Sequence, residues 1–376
     1  MTSETVLTGA ALVLPDAVLS GTIVLRDGRI AAIAPGSSAA PGALALEGDF
    51  LLPGLVDLHT DNLERQVQPR SNARWPSRSA MVAHDAQCAV AGVTTVFDAL
   101  CLGDLGFDKD RVRTFQDGVA DLDALTAAGL LRAEHFLHLR CEVPAPDMLG
   151  LFDPVADHPR VRMVSLMDHT PGVGQYADLD RYRKLRRDGG MTEAEIAPRI
   201  VELQAQRERL RGANRRALLG RLTGHRIAIA SHDDRTEAEV AENAADGIGV
   251  SEFPVSRIAA VAARRHGMEV IAGAPNLVRG GSHSGNVGVA SLLRDRLVDA
   301  LASDYVPTSL IEAAFHPDAG ALPEAVALVT DRPARIAGLA DRGRLEVGLR
   351  ADFVRVRFHA GLAVVRGVWR TGERVA

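Results

Sequence analysis

Cysteine and long apolar runs are scarce in this sequence. Its 376 residues include three cysteines, Cys88, Cys101 and Cys141, and none of them forms a Cys-x-x-Cys pair. An odd number of scattered cysteines argues against a disulfide framework and favours a reducing compartment. The first residues lack the basic segment and apolar stretch of a signal peptide, and no apolar run is long enough to span a membrane. These absences predict a soluble cytoplasmic protein.

An excess of positive charge is also missing. The formal net charge is −5, whereas a nucleic-acid-binding protein usually has a basic surplus. Hydrophobic residues make up 47% of the chain and charged residues 24%, which is the balance of a globular protein with a substantial core. A chain of this length fits one large α/β barrel with a modest accessory domain.

The middle of the chain alternates between short apolar runs and longer helical segments. This alternation is typical of parallel strands, and eight such runs predict a closed (β/α)₈ barrel over residues 53–339. The candidate strands are 55–59, 93–99, 136–142, 161–169, 226–232, 249–254, 269–274 and 299–304.

Both ends of the chain have β character. Residues 6–14, 20–26 and 29–33 are rich in β-branched side chains, and Asp27-Gly28 predicts a hairpin turn. Strands are also expected over 344–347, 352–357 and 362–369. Because the termini of a folded unit often lie close together, we predict one small β-sandwich domain formed by residues 1–52 and 340–376.

Residues 176–224 do not fit the barrel pattern. They predict a helical insertion after the fourth strand, with twelve Lys and Arg against seven Asp and Glu. A solvated helical hairpin with i,i+4 ion pairs is the favoured interpretation. The alternative is a lid that brings basic side chains towards an anionic substrate.

Ionisable side chains follow several of the predicted strands. Active sites of parallel barrels lie at these carboxyl ends, so imidazoles and carboxylates there predict a metal site. Glu142 is a candidate bridge between two divalent ions, which lower the pKa of water, and Asp304 is the candidate acid–base group. The alternative is a buried network of polar residues that binds no metal. For Glu252, a role as a ligand and burial in an ion pair with an arginine are equally compatible with the sequence. The predicted ligands are His59, Asp61, Glu142, His169, His232 and Asp304.

A glycine-rich loop follows the seventh predicted strand. Glycines allow backbone N–H groups to approach a ligand, and an arginine can hold phosphate oxygens through two hydrogen bonds. On the catalytic rim, this composition favours phosphate binding over a simple turn. The predicted substrate-binding residues are Asn276, Arg279, Ser282, His283 and Asn286.

Several motifs together resemble a known family. Pro53-Gly-Leu-Val-Asp-Leu-His59 and the segment from Arg332 to Asp352 resemble the amidohydrolase superfamily. His59-Thr-Asp-Asn-Leu-Glu64, Ser231-His-Asp-Asp234 and Ser303-Asp-Tyr-Val-Pro307 resemble, more closely, the α-D-ribose 1-methylphosphonate 5-triphosphate diphosphatases of the carbon–phosphorus lyase pathway. The resemblance implies a hydrolase that converts this triphosphate to the 5-phosphate and pyrophosphate in phosphonate catabolism.

The sequence departs from the wider superfamily at the first strand. The usual His-x-His is His59-x-Asp61 here, and no obvious lysine is available as a carboxylated bridge. We therefore expect one or two divalent ions, with Zn²⁺ favoured and Mn²⁺ or Mg²⁺ compatible with the carboxylates.

Two other functions remain open at this stage. The first is cleavage of a C–N bond, by a deaminase or cyclic amidase that has no need of a phosphate loop. The second is an inactive scaffold, which should have lost its metal ligands. The expected partner is a small phosphorylated sugar phosphonate, with neither nucleic acid nor membrane, and a homo-oligomer is left open.

Overall fold

The computed structural model describes residues 4–70, 73–105, 109–282 and 285–376. Its strands form two sheets, a parallel sheet in the middle of the chain and a mixed sheet from both ends. None of the helices in these ranges is long and apolar enough to cross a membrane.

The parallel sheet is a barrel whose strands follow one another in chain order. It closes between its first and last strands, because the Asp304 amide donates to His59 O (2.9 Å) and the Asp61 amide donates to Asp304 O (2.6 Å). The predicted barrel is confirmed, and the predicted strand ends differ from the observed ones by at most three residues. The strands are β6 (Leu55–Thr60), β7 (Val93–Leu102), β8 (Glu134–Glu142), β9 (Val161–Met167), β10 (Ala228–His232), β11 (Val250–Glu252), β12 (Glu269–Gly273) and β13 (Ala300–Ala302).

Helices surround the barrel, and their caps are readable in the sequence. Thr236 and Glu239 form a capping box at the start of one helix, and Ser256 accepts a hydrogen bond from Ala259 N at the start of the next. The helices are α1 (Asn62–Val67), α2 (Ser77–Val90), α3 (Lys109–Ala127), α4 (Met148–Phe152), α5 (Leu179–Asp188), α6 (Glu193–Leu222), α7 (Glu237–Ala245), α8 (Arg257–Arg265), α9 (Ala274–Val278), α10 (Val289–Arg294), α11 (Ser309–Ala314), α12 (Leu322–Ala327) and α13 (Asp331–Ile336).

Apolar side chains from alternate strand positions fill the barrel interior. Val56, Phe97, Phe136, Met163 and Ile271 belong to one buried cluster there. A packed interior of this kind leaves no pore through a barrel of eight strands. Polar groups at the carboxyl ends of the strands are therefore gathered above an apolar floor.

The terminal strands form the mixed sheet. Its order is β16-β15-β14-β5-β1-β2-β3, with β4 beside β1, so strands from the two ends of the chain pair directly. The strands are β1 (Glu4–Val13), β2 (Val18–Arg26), β3 (Arg29–Pro35), β4 (Leu44–Ala45), β5 (Phe50–Pro53), β14 (Phe353–His359), β15 (Leu362–Arg370) and β16 (Glu373–Arg374).

The β2–β3 turn of this sheet contacts the segments that flank β14 and β15. Gly28, in the β2–β3 turn, accepts from the Ala351 amide (2.9 Å), and a Cβ added to Gly28 would lie 3.0 Å from Thr371 O. Its φ of +74° is the left-handed conformation that glycine adopts readily. The expected strand at 344–347 is wrong, since these residues form an irregular segment from which Leu345 packs into the sheet's core.

The insertion forms α5 and α6, and α6 is tied to the rim of the barrel. Gln206 Nε2 donates to Pro144 O (3.0 Å), and Gln204 Nε2 donates to Pro171 O (3.0 Å). Asn214 Nδ2 donates to Val143 O (2.9 Å). These bonds fix the loops after β8 and β9, so the hairpin supports the rim in addition to facing solvent.

Candidate active site

A cavity of about 510 Å³ opens at the carboxyl ends of the barrel strands. All six predicted metal ligands line it, and so do three of the predicted substrate-binding residues. Convergence from five strand ends is possible only because the barrel is closed, since the ligands are far apart in the sequence. These lining residues are His59, Asp61, Glu142, His169, His232, Asp304, Asn276, Ser282 and Asn286.

The first group of potential metal ligands lies at the seam of the barrel. His59, Asp61 and Asp304 each place a ligand atom within 4.8 Å of the others. His59 Nε2 is 3.4 Å from Asp61 Oδ1 and is buried with no hydrogen-bond partner in the described part of the chain. A buried nitrogen left in this state is costly unless something else binds it.

The second group contains His169, His232 and Asp233. Asp233 Oδ2 lies 3.8 Å from His169 Nε2 and 3.6 Å from His232 Nε2. This oxygen is also buried without a hydrogen-bond partner among the described residues. Asp233 and Asp304 have φ values of +56° and +55°, a backbone conformation that is uncommon for non-glycine residues and is enriched at functional sites.

Glu252, at the end of β11, orients one histidine of each group. His59 Nδ1 donates to Glu252 Oε1 (2.8 Å), and His232 Nδ1 donates to Glu252 Oε2 (2.7 Å). The Glu252 residue is fully buried. Burial alone would raise the pKa of Glu252, but the positive charge of His59 and neighbouring groups holds it well below its usual value. With both Nδ1 atoms protonated, each Nε2 lone pair is free to bind a cation.

Glu142 makes a corresponding contact with His169. Its Oε2 accepts from His169 Nδ1 (2.6 Å), and its Oε1 accepts from the His169 amide (2.7 Å). Both carboxylate oxygens are therefore engaged in orienting this histidine. The bridging role expected from the sequence stays a prediction.

The pKa of His59 reflects the negative charge that surrounds this side chain. Burial would lower the pKa of His59, but the charge of Glu252 raises it to about 10. Burial and the charge of Asp61 raise the pKa of Asp304 to about 6. The negative charge that stabilises the protonated imidazole would likewise stabilise a bound cation, which takes the place of the proton. The site therefore has the nitrogen and oxygen ligands that a divalent cation requires.

The glycine-rich loop supplies one wall of the cavity. The Asn276 side chain holds the loop closed, because its Nδ2 donates to Val287 O (3.0 Å) and its Oδ1 accepts from Val289 N (3.0 Å). Ser282 and Asn286 face the cavity, whereas Arg279 is exposed and does not line it. His283 lies outside the described residues.

Comparison with characterised proteins assigns the chain to a family. The α-D-ribose 1-methylphosphonate 5-triphosphate diphosphatase of Escherichia coli strain K12 is 42% identical to it over 376 residues, covering 98% of this chain and 100% of that protein. The chain belongs to this diphosphatase family. No protein-family model matches the chain.

Several solved structures share the fold of this chain. N-acetyl-D-glucosamine-6-phosphate deacetylase from Mycobacterium smegmatis aligns with a TM-score of 0.63 at 19% identity, covering 99% of this chain and 100% of that one. The 5-methylcytosine deaminase from Klebsiella pneumoniae aligns with a TM-score of 0.62 at 16% identity, covering 99% and 98%. At these identities the likeness shows the amidohydrolase fold alone.

The sequence missed one residue of the candidate site and left another undecided. Asp233 stands next to the predicted ligand His232, but its neighbour Asp234 is an equally plausible ligand from the sequence. In the structure, Asp234 accepts from Ser231 and Ser251 instead. The position of Glu252 at a strand end was the available signal, and its contact with His59 depends on the closed barrel.

Proposed function

We propose that this enzyme hydrolyses α-D-ribose 1-methylphosphonate 5-triphosphate to the 5-phosphate and pyrophosphate. The supporting observation is the 42% identity to the diphosphatase, which covers 98% of this chain and the whole of that protein. The cavity contributes a physical argument, since it combines potential ligands for a divalent cation with arginines and a loop suited to phosphate. We expect the enzyme to act in the cytoplasm, consistent with its three free cysteines.

We propose that His59, Asp61, His169, His232 and Asp233 hold the divalent ion or ions, with Glu252 and Glu142 orienting the histidines. Three imidazoles favour Zn²⁺, and the carboxylates leave Mn²⁺ or Mg²⁺ compatible. When bound, such an ion lowers the pKa of water and polarises phosphoryl oxygens.

The charge of the cavity supports the need for a cation. Among the residues that the structure describes, the carboxylates that line it are those of Asp61, Asp104, Glu142, Asp233 and Asp304. The guanidinium groups that line it are those of Arg111, Arg140 and Arg186. Because the carboxylates outnumber the guanidinium groups, they would repel a triphosphate unless protonated histidines or cations offset them. Divalent cations among the carboxylates would reverse the balance and make the cavity attractive to the substrate.

Asp304 is the proposed proton carrier. Its pKa of about 6 lies near neutral pH, where a carboxylate can accept a proton from the attacking water and return it. Hydrolysis breaks the P–O bond between the α- and β-phosphates and adds the elements of water across it. The proton taken by Asp304 can then leave with the phosphate product or with solvent.

A substrate panel tests the function. Purified enzyme with added Zn²⁺ or Mn²⁺ should release pyrophosphate from the ribose 1-methylphosphonate 5-triphosphate. It should release no ammonia from cytosine and should not open cyclic amides. Turnover of the C–N substrates with none of the triphosphate would contradict the proposal.

A further inference from the structure

The inserted hairpin brings an arginine to the cavity. Arg186, in the last turn of α5, lines the cavity and lies over the rings of two tyrosines. Its Cζ is 4.9 Å from the Tyr182 ring centroid and 5.9 Å from that of Tyr176. We call Tyr176, Tyr182 and Arg186 the clamp.

The clamp is anchored and close to the metal-binding groups. Tyr182 is 2% exposed and packs with Ile196 and Ile200 in a small core between α5 and α6. The centroid of the Tyr176 ring is 5.5 Å from that of the Tyr182 ring and 5.8 Å from that of the His169 ring. Arg186 is thus separated from a candidate metal ligand by a single aromatic ring. Stacking on two rings limits the guanidinium's motion before any ligand binds.

Other groups suited to phosphate surround the same part of the cavity. Arg111, from α3, lines it while its Nε is 3.2 Å from Glu64 Oε2. Arg181, on α5, lies against the glycine-rich loop, since its Nη1 would be 2.8 Å from a Cβ added to Gly285. The insertion and the loop carrying Ser282 therefore enclose one side of the cavity together.

We propose that Arg186, assisted by Arg111, binds the terminal phosphates of the substrate and the pyrophosphate that leaves, so that the insertion selects for the length of the phosphate chain. This inference rests on the proposed function. A guanidinium presents paired N–H donors that match phosphate oxygens, which an ammonium cannot do. A chain of phosphates that starts at the metal-binding groups would end at the clamp, whereas a single phosphate would not reach it.

The kinetic test compares Arg186→Ala with Arg187→Ala. Arg187 is the neighbouring residue on α5, pairs with Glu193 (3.0 Å) and does not line the cavity, so it is a matched control. With the triphosphate, Arg186→Ala should lower kcat/KM by about 10- to 100-fold, the range expected for a lost charge-assisted contact. With the corresponding 5-diphosphate the loss should be less than about threefold. Arg186→Lys should recover only part of the activity, and Arg187→Ala should match the wild type. Equal losses on both substrates would overturn the proposal.

A binding measurement separates this proposal from the proposed function. Calorimetric titration of the metal-loaded enzyme with pyrophosphate, in excess Mg²⁺ to prevent chelation, should show binding about tenfold or more weaker in Arg186→Ala than in wild type and Arg187→Ala. Inorganic phosphate should bind all three proteins equally. If the wild type does not cleave the triphosphate, the proposed function fails, while weaker pyrophosphate binding in Arg186→Ala still supports the clamp. Unchanged pyrophosphate binding in that variant would overturn the clamp even if the triphosphate is cleaved.

Discussion

Replacing Glu252 with Gln should weaken metal binding, although Glu252 is proposed to orient two ligands and not to bind the ion itself. The carboxylate accepts hydrogen bonds from His59 Nδ1 at Oε1 and from His232 Nδ1 and Ser165 Oγ at Oε2. Glutamine keeps the shape but has one acceptor oxygen, so its NH₂ group must face the other imidazole. That histidine must then move its proton to Nε2, where it blocks the lone pair available to a cation.

The size of the effect follows from one lost contact. A hydrogen bond to a charged group contributes about 1.5–3 kcal/mol, and about 1.4 kcal/mol corresponds to a factor of ten in affinity. Metal affinity should therefore fall by about 10- to 100-fold, as is typical when a group that orients a ligand is changed. Because Glu252 does not take part in proton transfer, kcat at saturating metal should recover to within about tenfold of the wild type.

Activity measured against free metal concentration, together with metal content after dialysis, checks this prediction. Glu237→Gln is a suitable control, since Glu237 is exposed and pairs with Arg265 on the surface. An unchanged half-saturating metal concentration in Glu252→Gln would refute the orienting role. A loss of kcat that added metal cannot restore would instead place Glu252 in the chemistry.

Three further predictions follow from the site and the terminal sheet. Asp304→Asn should keep its metal but lose about 10²- to 10⁴-fold in kcat and alter the acidic limb of the pH–rate profile, and near-normal kcat would contradict its role as proton carrier. His232→Ala and Glu142→Ala should each abolish turnover and lower the metal content measured by atomic emission, and full occupancy with intact activity would remove them from the site. Burial alone would raise the pKa of Asp49, but hydrogen bonds from Arg357 and Arg355 hold it below its usual value. The ionised Asp49 therefore stabilises the folded state fully above about pH 4, and this contribution is lost as the pH falls through the lowered pKa. Asp49→Asn should therefore lower the stability by about 1–2 kcal/mol at pH 7, and the difference in melting temperature should close towards pH 3; a difference independent of pH would contradict the ionic contribution.

The barrel was predictable because its evidence is local. Each strand is an apolar run, and each polar strand end follows directly in the sequence, as at His59 after Leu58. The pairing of both ends of the chain in one sheet was also expected, and Phe353 lies opposite Pro53 as that expectation requires.

The contacts between strand ends were not predictable, because they depend on geometry across the barrel. The choice of Asp233 over Asp234 depends on a positive φ that a single sequence does not reveal. The contact of Glu252 with His59 joins positions 193 residues apart, whereas its contact with His232 spans 20 residues. The position of Arg186 depends on how α5 folds back over the rim. Arg279, chosen for its chemistry, lies on the exposed side of its loop.

The closure of the barrel at His59 and Asp304 has a consequence for folding. The two peptide hydrogen bonds that join β6 to the end of β13 also bring Asp304 to the ligands of the first strand. Contacts between segments so distant in the chain form late and slowly, because the loop between them must be ordered first. A nascent or truncated chain that has not yet added its eighth strand therefore lacks the peptide hydrogen bonds that hold His59 and Asp61 in place. Tight metal binding can thus occur only after the barrel has closed, and uptake of metal would report the last step of folding.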